Sequence, residues 1–158
     1  MAETQVVVFA LNRENCGVET SQVQKIVKYQ DIFKVAKMPK FIEGIFNYRG
    51  SVIPAIDLNK RFEFGETQIT DNTKIVVTQI RNNLVGFIVN DVMEILTLSE
   101  EDIEETPEII SSNGNNFLKC VGKKNEKLIS ILDLSLILND SEIKKIDNKK
   151  LAEKGRAS

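Results

Sequence analysis

The amino-acid sequence predicts a mainly β protein: two small five-stranded β-barrels packed side by side, with short helices and a C-terminal helix. Three observations predict it. Short β-branched apolar runs recur along the chain and are bounded by turn chemistry. The chain repeats its own pattern at an offset of about 69 to 76 residues. Each repeat, carrying five short strands, would expose unpaired sheet edges unless it curled into a barrel.

The first strand is Val6-Val7-Val8-Phe9-Ala10-Leu11, and Asn12-Arg13-Glu14-Asn15 turns it back into Cys16-Gly17-Val18. Thr20 or Ser21 can cap a short helix whose apolar positions Val23, Ile26 and Val27 fall at helical spacing. Asp31 to Ala36 offers a further short strand, and Pro39 leads into the strand-like Phe41 to Tyr48. Arg49-Gly50-Ser51 is a tight turn before Val52-Ile53-Pro54-Ala55-Ile56, which Pro54 marks as an edge or a bulge because it lacks an amide donor. Asp57-Leu58 opens a helical turn ending near Phe64-Gly65, and residues 66–73 form a polar loop.

The same order then recurs. Lys74 to Ile80 and Leu84 to Val89 are strands about Arg81-Asn82-Asn83. Val92, Ile95 and Leu96 follow, then the acidic Ser99-Glu100-Glu101-Asp102 and a loop from Ser111 to Asn116. Phe117 to Gly122 and Leu128 to Leu132 make a last hairpin around Lys123-Lys124-Asn125-Glu126. A helix from about Ser141 closes the chain, with a solvated basic end at Lys149-Lys150 to Arg156.

The repeat sets Val7-Val8 on Val76-Val77, Leu11 on Ile80, Gly17 on Gly86, Val18 on Phe87, Val23 on Val92 and Ile26 on Ile95. A slightly larger offset sets Val52-Ile53 on Leu128-Ile129 and Ile56-Asp57-Leu58 on Leu132-Asp133-Leu134. Aspartate after a strand is a helix-cap signal, so Asp57 and Asp133 are expected to be caps; a catalytic carboxylate pair is the competing reading. The expected division is one domain over 1–158: subdomain one about 15–72, subdomain two about 73–140 plus the N-terminal strand 4–12, and a C-terminal helix and tail 141–158.

Composition excludes several functions. The chain has 158 residues, 42% hydrophobic and 28% charged, an ordinary globular balance. Its net charge of -2, with no Trp and two Tyr, argues against a small-barrel nucleic-acid-binding protein. There is no histidine, which removes Ser-His-Asp and Cys-His catalysis, HExxH zinc sites and phosphohistidine relays. We therefore expect no catalytic residues, no cofactor and no metal. No signal peptide and no transmembrane run is present, so a soluble, cytoplasmic protein is expected. The sequence leaves open whether Cys16 and Cys120 pair; the expectation is two reduced, mostly buried thiols.

The stretch Pro39-Lys40-Phe41-Ile42-Glu43-Gly44-Ile45-Phe46-Asn47-Tyr48-Arg49-Gly50-Ser51-Val52-Ile53-Pro54-Ala55-Ile56-Asp57-Leu58 closely resembles the signature of the bacterial chemotaxis coupling proteins, the CheW family. That pattern reads roughly P-x-F-I-x-G-x-x-N-x-R-G-x-x-x-P-x-x-D-L, and every fixed position is present. The resemblance runs from about Thr4 to Leu138 and includes Val23-x-x-Ile26, Gly86-Phe87-Ile88-Val89 and Ile131-Leu132-Asp133-Leu134. It implies two five-stranded SH3-like barrels. It also implies a non-catalytic scaffold or adaptor that couples membrane chemoreceptors to the histidine kinase CheA, binds the kinase's regulatory domain and helps build receptor arrays. The partners implied are CheA and the cytoplasmic tips of methyl-accepting chemoreceptors, with recruitment to membrane-associated arrays and no membrane insertion.

The receptor-binding residues expected on this basis are Val23, Asn47, Arg49, Gly50 and Ile95; no kinase-contact residue is assigned. Arg49, at a hairpin tip beside Gly50, offers a rigid fork of donors suited to carbonyls or carboxylates on a partner helix, although a lone exposed arginine is ordinary surface. Where the family commonly has an acidic residue two positions after the valine, this chain has Lys25; either its receptor carries a compensating charge or the position contributes little. The alternative within the same fold is the coupling or regulatory domain of a larger CheA- or CheV-like protein. Such proteins carry kinase or receiver domains, and the barrel pattern beginning directly after Met1 favours a stand-alone chain.

Overall fold

The structure, a computed structural model, describes residues 3–111 and 116–145. Its strands are β1 (Thr4–Leu11), β2 (Glu14–Glu19), β3 (Lys25–Lys28), β4 (Ile42–Tyr48), β5 (Ser51–Asp57), β6 (Lys74–Ile80), β7 (Asn83–Val89), β8 (Asp91–Leu98), β9 (Ile103–Glu105), β10 (Leu118–Lys124) and β11 (Lys127–Leu132). Short helices α1 (Leu58–Arg61), α2 (Glu108–Ser111) and α3 (Asp140–Lys145) sit between and after them. Two sheets result, ordered β8-β1-β2-β11-β10-β9 and β3-β6-β7-β5-β4. The fold is mainly β, as the strand-and-turn grammar predicts.

Each sheet closes on itself by chain continuity. After β3 the chain runs on to Phe33, which exchanges both backbone hydrogen bonds with Ile45 of β4 at 2.8 Å. After β8 it runs on to β9, which pairs with β10. These continuations carry the chain from one edge strand of each sheet to the other. The strand expected over Asp31 to Ala36 is therefore a single bridge, while its counterpart in the other barrel is a full strand and makes a sixth.

Sheet membership corrects the expected division at 15–72 and 73–140. β6 and β7 lie in one sheet with β3, β4 and β5, while β1 and β2 lie with β8 to β11. Each barrel thus takes its first hairpin from one repeat and its remaining strands from the other. Two parallel pairings make the exchange: β2 on β11, with Gly17 opposite Ile131, and β5 on β7, with Gly86 opposite Ala55. A hairpin that docks across repeats is free to do so because antiparallel pairing within it is already complete.

The exchange explains why β1 and β6 are apolar without alternation. Val6 and Val8 point into one barrel with Leu98, Ile129 and Ile131. Val7, Phe9 and Leu11 point the other way, into a core shared by both barrels with Val76, Ile80 and Phe87. Ile75 and Val77 fill the second barrel with Phe46, Ile53 and Ile88. Strands buried on both faces read as continuous apolar runs. Each fully buried Ile, Leu or Phe contributes about 1.5–3 kcal/mol, so the shared core welds the barrels together.

The helix expected from Thr20 is instead a single 3-10 turn, Thr20–Gln22, followed by β3. Val23 and Ile26 pack on the shared core and Val27 on the second barrel's interior, so the three residues divide between two faces. The chain's last described part straps the barrels: Leu134, Ile137, Leu138 and Ile143 are buried in the shared core. Arg61 donates to the Ile137 carbonyl at 3.0 Å and pairs with Glu142 at 3.6 Å, while Arg81 pairs with Asp140. The basic end expected at Lys149 to Arg156, and most of the loop from Ser111 to Asn116, lie outside the described residues.

Candidate docking site

The β4–β5 hairpin carries the motif, and its geometry follows from its sequence. Tyr48 pairs with Ser51, leaving Arg49-Gly50 as a two-residue loop. Both loop residues are left-handed, with φ of 50° and 85°. That is the turn whose twist suits a hairpin, and it demands glycine or a tolerant residue at both centres. Asn47 offsets the cost at Arg49: its Oδ1 accepts the Gly50 N–H at 3.0 Å. Beneath the tip, Phe46, Tyr48 and Ile53 are buried in the barrel interior and fix the strands. Arg49 is exposed, with its guanidinium carbon 5.4 Å from the centre of the Tyr48 ring.

The corresponding β10–β11 hairpin has the same loop shape, with φ of 54° at Asn125 and 63° at Glu126. Its chemistry differs: Lys123 stands where Asn47 braces the first turn, and Lys124 donates to the Thr97 carbonyl. Only the first hairpin therefore presents an arginine on a braced tip.

The other expected residues lie on separate elements. Val23 follows the 3-10 turn, is half-buried against the shared core, and donates its N–H to Thr20 O at 3.1 Å. Ile95 stands opposite Val7 in the β1–β8 ladder, so it shares the face on which Val7 enters the shared core, yet it is 62% exposed. Both thus border the seam between barrels. The structure brings Asn47, Arg49 and Gly50 together; no described hydrogen bond, ion pair or ring contact joins that hairpin to Val23 or Ile95. Lys25 is exposed on β3.

One residue that the sequence did not single out positions Val23. Gln22 donates to Asp133 Oδ1 at 2.8 Å and accepts the Leu134 N–H at 3.0 Å, while its own carbonyl accepts from Thr78. It stitches the β2–β3 connection to both barrels. Nothing local signals this, because its partners lie 56 to 112 positions away in sequence.

The aspartates are caps. Asp57 accepts from the Asn59 and Lys60 amides at 2.9 and 3.4 Å and from the Thr67 amide and hydroxyl at 3.1 and 2.6 Å. Asp133 accepts from the Ser135 amide at 3.0 Å and hydroxyl at 2.6 Å. Their own amides donate to Phe41 O and Phe117 O, both at 2.8 Å, so the two repeats end their last strands identically. Burial pushes the Asp133 carboxyl up, but the hydrogen bonds from Ser135 and Gln22 outweigh it and hold the group below its ordinary value.

The thiols are set for packing. Burial, with Glu14 nearby, pushes Cys16 up to about 12, and burial also raises Cys120. Cys16 faces the shared core, whereas Cys120 packs into the first barrel from β10, with β11 between the two strands. The pairing that the sequence left open is therefore not made: both cysteines are free. Among the described residues no group of His, Cys, Asp or Glu could hold a metal ion, and no helix is long and apolar enough to cross a membrane.

Two interlocked small barrels, with a braced arginine hairpin at one tip, define a double-barrel β module. The chain belongs to the CheW-like domain family, whose model matches residues 5–142. It is 32% identical to the chemotaxis protein CheW of Bacillus subtilis over 135 residues, covering 85% of this chain and 86% of that protein. It is 29% identical to the chemotaxis protein CheW of Klebsiella aerogenes over 144 residues, covering 91% and 87%. Among solved structures, the scaffolding protein TtCheW from Thermoanaerobacter tengcongensis superposes with a TM-score of 0.81 at 32% identity, covering 90% of this chain and 92% of that one. The chain is thus similar over 85–91% of its length to chemotaxis proteins CheW and to a scaffolding protein of that name.

Proposed function

We propose that this protein is a non-catalytic coupler that joins the cytoplasmic tips of chemoreceptors to the histidine kinase CheA, working at membrane-associated receptor arrays. The observation that carries the reading is Arg49. It stands exposed on a turn braced by Asn47, in a motif whose every fixed position this chain retains. A guanidinium presented this way meets carbonyls or carboxylates on a partner helix with little loss of freedom. Val23 and Ile95, bordering the seam between barrels, supply apolar contacts for the same helix. Gly50 permits the turn.

The test is Arg49→Glu in receptor co-sedimentation and in binding to the isolated regulatory domain of the cognate kinase. Removing one partner of a desolvated charged contact costs about 2–5 kcal/mol, so receptor affinity falls by roughly thirtyfold or more while thermal unfolding stays unchanged. Undiminished receptor binding by the variant refutes the role of Arg49. Absence of any association between the parent protein and the kinase domain refutes the coupling itself.

A further inference from the structure

The proposed docking role requires Arg49 to be held, and the structure contains a holder outside the motif's fixed positions. We infer that Tyr48 is a positioning residue: its ring, fixed in the barrel interior, clamps the Arg49 guanidinium in the orientation that meets the partner. The inference rests on Arg49 being a partner contact.

Tyr48 is 5% exposed and packs with Phe46, Ile53 and Ile88 in the second barrel, so its ring has one available position. The Arg49 guanidinium carbon lies 5.4 Å from the ring centroid, inside the roughly 6 Å range over which a cation is attracted to an aromatic face. The backbone is braced separately, by the Asn47 side chain on the Gly50 amide. Together these restrain both halves of the residue: Asn47 holds its main chain and Tyr48 its side chain. A long cationic side chain gives up rotamer freedom on docking, and a clamp made beforehand reduces that loss. The second repeat lacks the device, since Lys124 takes the place of Tyr48, donates to the Thr97 carbonyl and is followed by Asn125. The phenol oxygen does not contribute to the clamp: it is buried and has no hydrogen-bond partner among the described residues.

The experiment compares Tyr48→Phe, Tyr48→Leu and Arg49→Glu for receptor-tip binding, with folding monitored by circular dichroism. Tyr48→Phe keeps the ring and is expected to bind like the parent. Tyr48→Leu loses it and is expected to bind roughly two- to fivefold more weakly. In the unmutated protein, nitrogen-15 relaxation is expected to show the Arg49 Nε more restricted than that of Arg13, an exposed arginine at the β1–β2 tip. Parent-like affinity for a folded Tyr48→Leu, with Arg49→Glu impaired, overturns the clamp and leaves the docking role standing. Equal mobility of Arg49 and Arg13 overturns it even if Tyr48→Leu does not fold. Parent-like binding by Arg49→Glu ends the docking role and the positioning role with it.

Discussion

At the scale of single residues, the two matched glycines are not equivalent. A Cβ built on Gly86 would lie 2.7 Å from the Phe46 ring and 2.7 Å from Ile75 Cγ2, because β5 and β7 pair there over a filled barrel. One built on Gly17 would meet Ile129, Ile131 and the Val7 carbonyl at 3.3 Å, close but tolerable. Gly86→Ala is therefore expected to cost about 1–3 kcal/mol through overpacking. Gly17→Ala should change stability by less than about 1 kcal/mol, because alanine's smaller entropy loss in a strand offsets the crowding. Denaturant midpoints of the two variants check this, and equal midpoints contradict it. The match of the two glycines was legible in the sequence. Which of the two a side chain would crowd was not, since at Gly86 that depends on Phe46, which arrives from a different strand.

At the scale of elements, what the sequence disclosed was whatever local chemistry decides. Asn47-x-Arg49-Gly50 announced a hairpin and Asp57 and Asp133 announced caps, and each is made by partners within a few residues, apart from Thr67 and Gln22. The repeat was legible for the same reason, and the structure extends it to matching irregularities. β4 against β5 shifts register between Ile42 and Gly44, and β10 against β11 shifts between Leu118 and Cys120, the corresponding places. The segment after Thr20 was misread because Val23, Ile26 and Val27 satisfy helical spacing. A strand buried on both faces satisfies that spacing equally, and such short apolar runs cannot be told apart by period. Hydrogen bonds decide the matter: Gln24 donates to Val77 O at 2.8 Å, and β3 pairs with β6, fifty residues on, over Lys25 to Lys28. Beyond the strand at 4–12, which the sequence already places with the second repeat, the docking of β2 and of the β6–β7 hairpin across repeats was illegible too, because apolar alternation specifies a face and not the strand that covers it.

At the scale of the whole molecule, charge and topology each lead to a prediction. With no histidine, stability has nothing to lose near neutrality. Asp133, held below 3.8, contributes fully above that value and loses its contribution as pH falls through its folded value. Lys60, raised chiefly by its bond to Glu43, and Lys119, raised by Glu19, contribute fully below 10.5 and lose it as pH rises beyond. Cys16 behaves likewise, fully contributing below 9.0 and spent by about 12. The denaturant midpoint should therefore be flat from about pH 5 to 8 and fall on both sides, and a step near pH 6.5 would contradict it. Topology makes the stronger demand. Cutting the exposed loop after Asp71 gives fragments 1–71 and 72–158, the first holding β1 to β5 and the second β6 to β11. Neither contains a complete barrel, because β1–β2 belongs with β8 to β11 and β6–β7 belongs with β3 to β5. Alone, each would expose half of the shared core: Val7, Phe9 and Leu11 in one, Val76, Ile80 and Phe87 in the other. Chains of about 70 to 90 residues that have lost half of their core have too little left to offset that loss. Each fragment should lack stable β structure by circular dichroism, and an equimolar mixture should recover the parent spectrum as a one-to-one complex. If 1–71 folded by itself, the first repeat would have to be self-sufficient, and the cross-repeat parallel pairings of Gly17 with Ile131 and Ala55 with Gly86 could not be what its strands depend on.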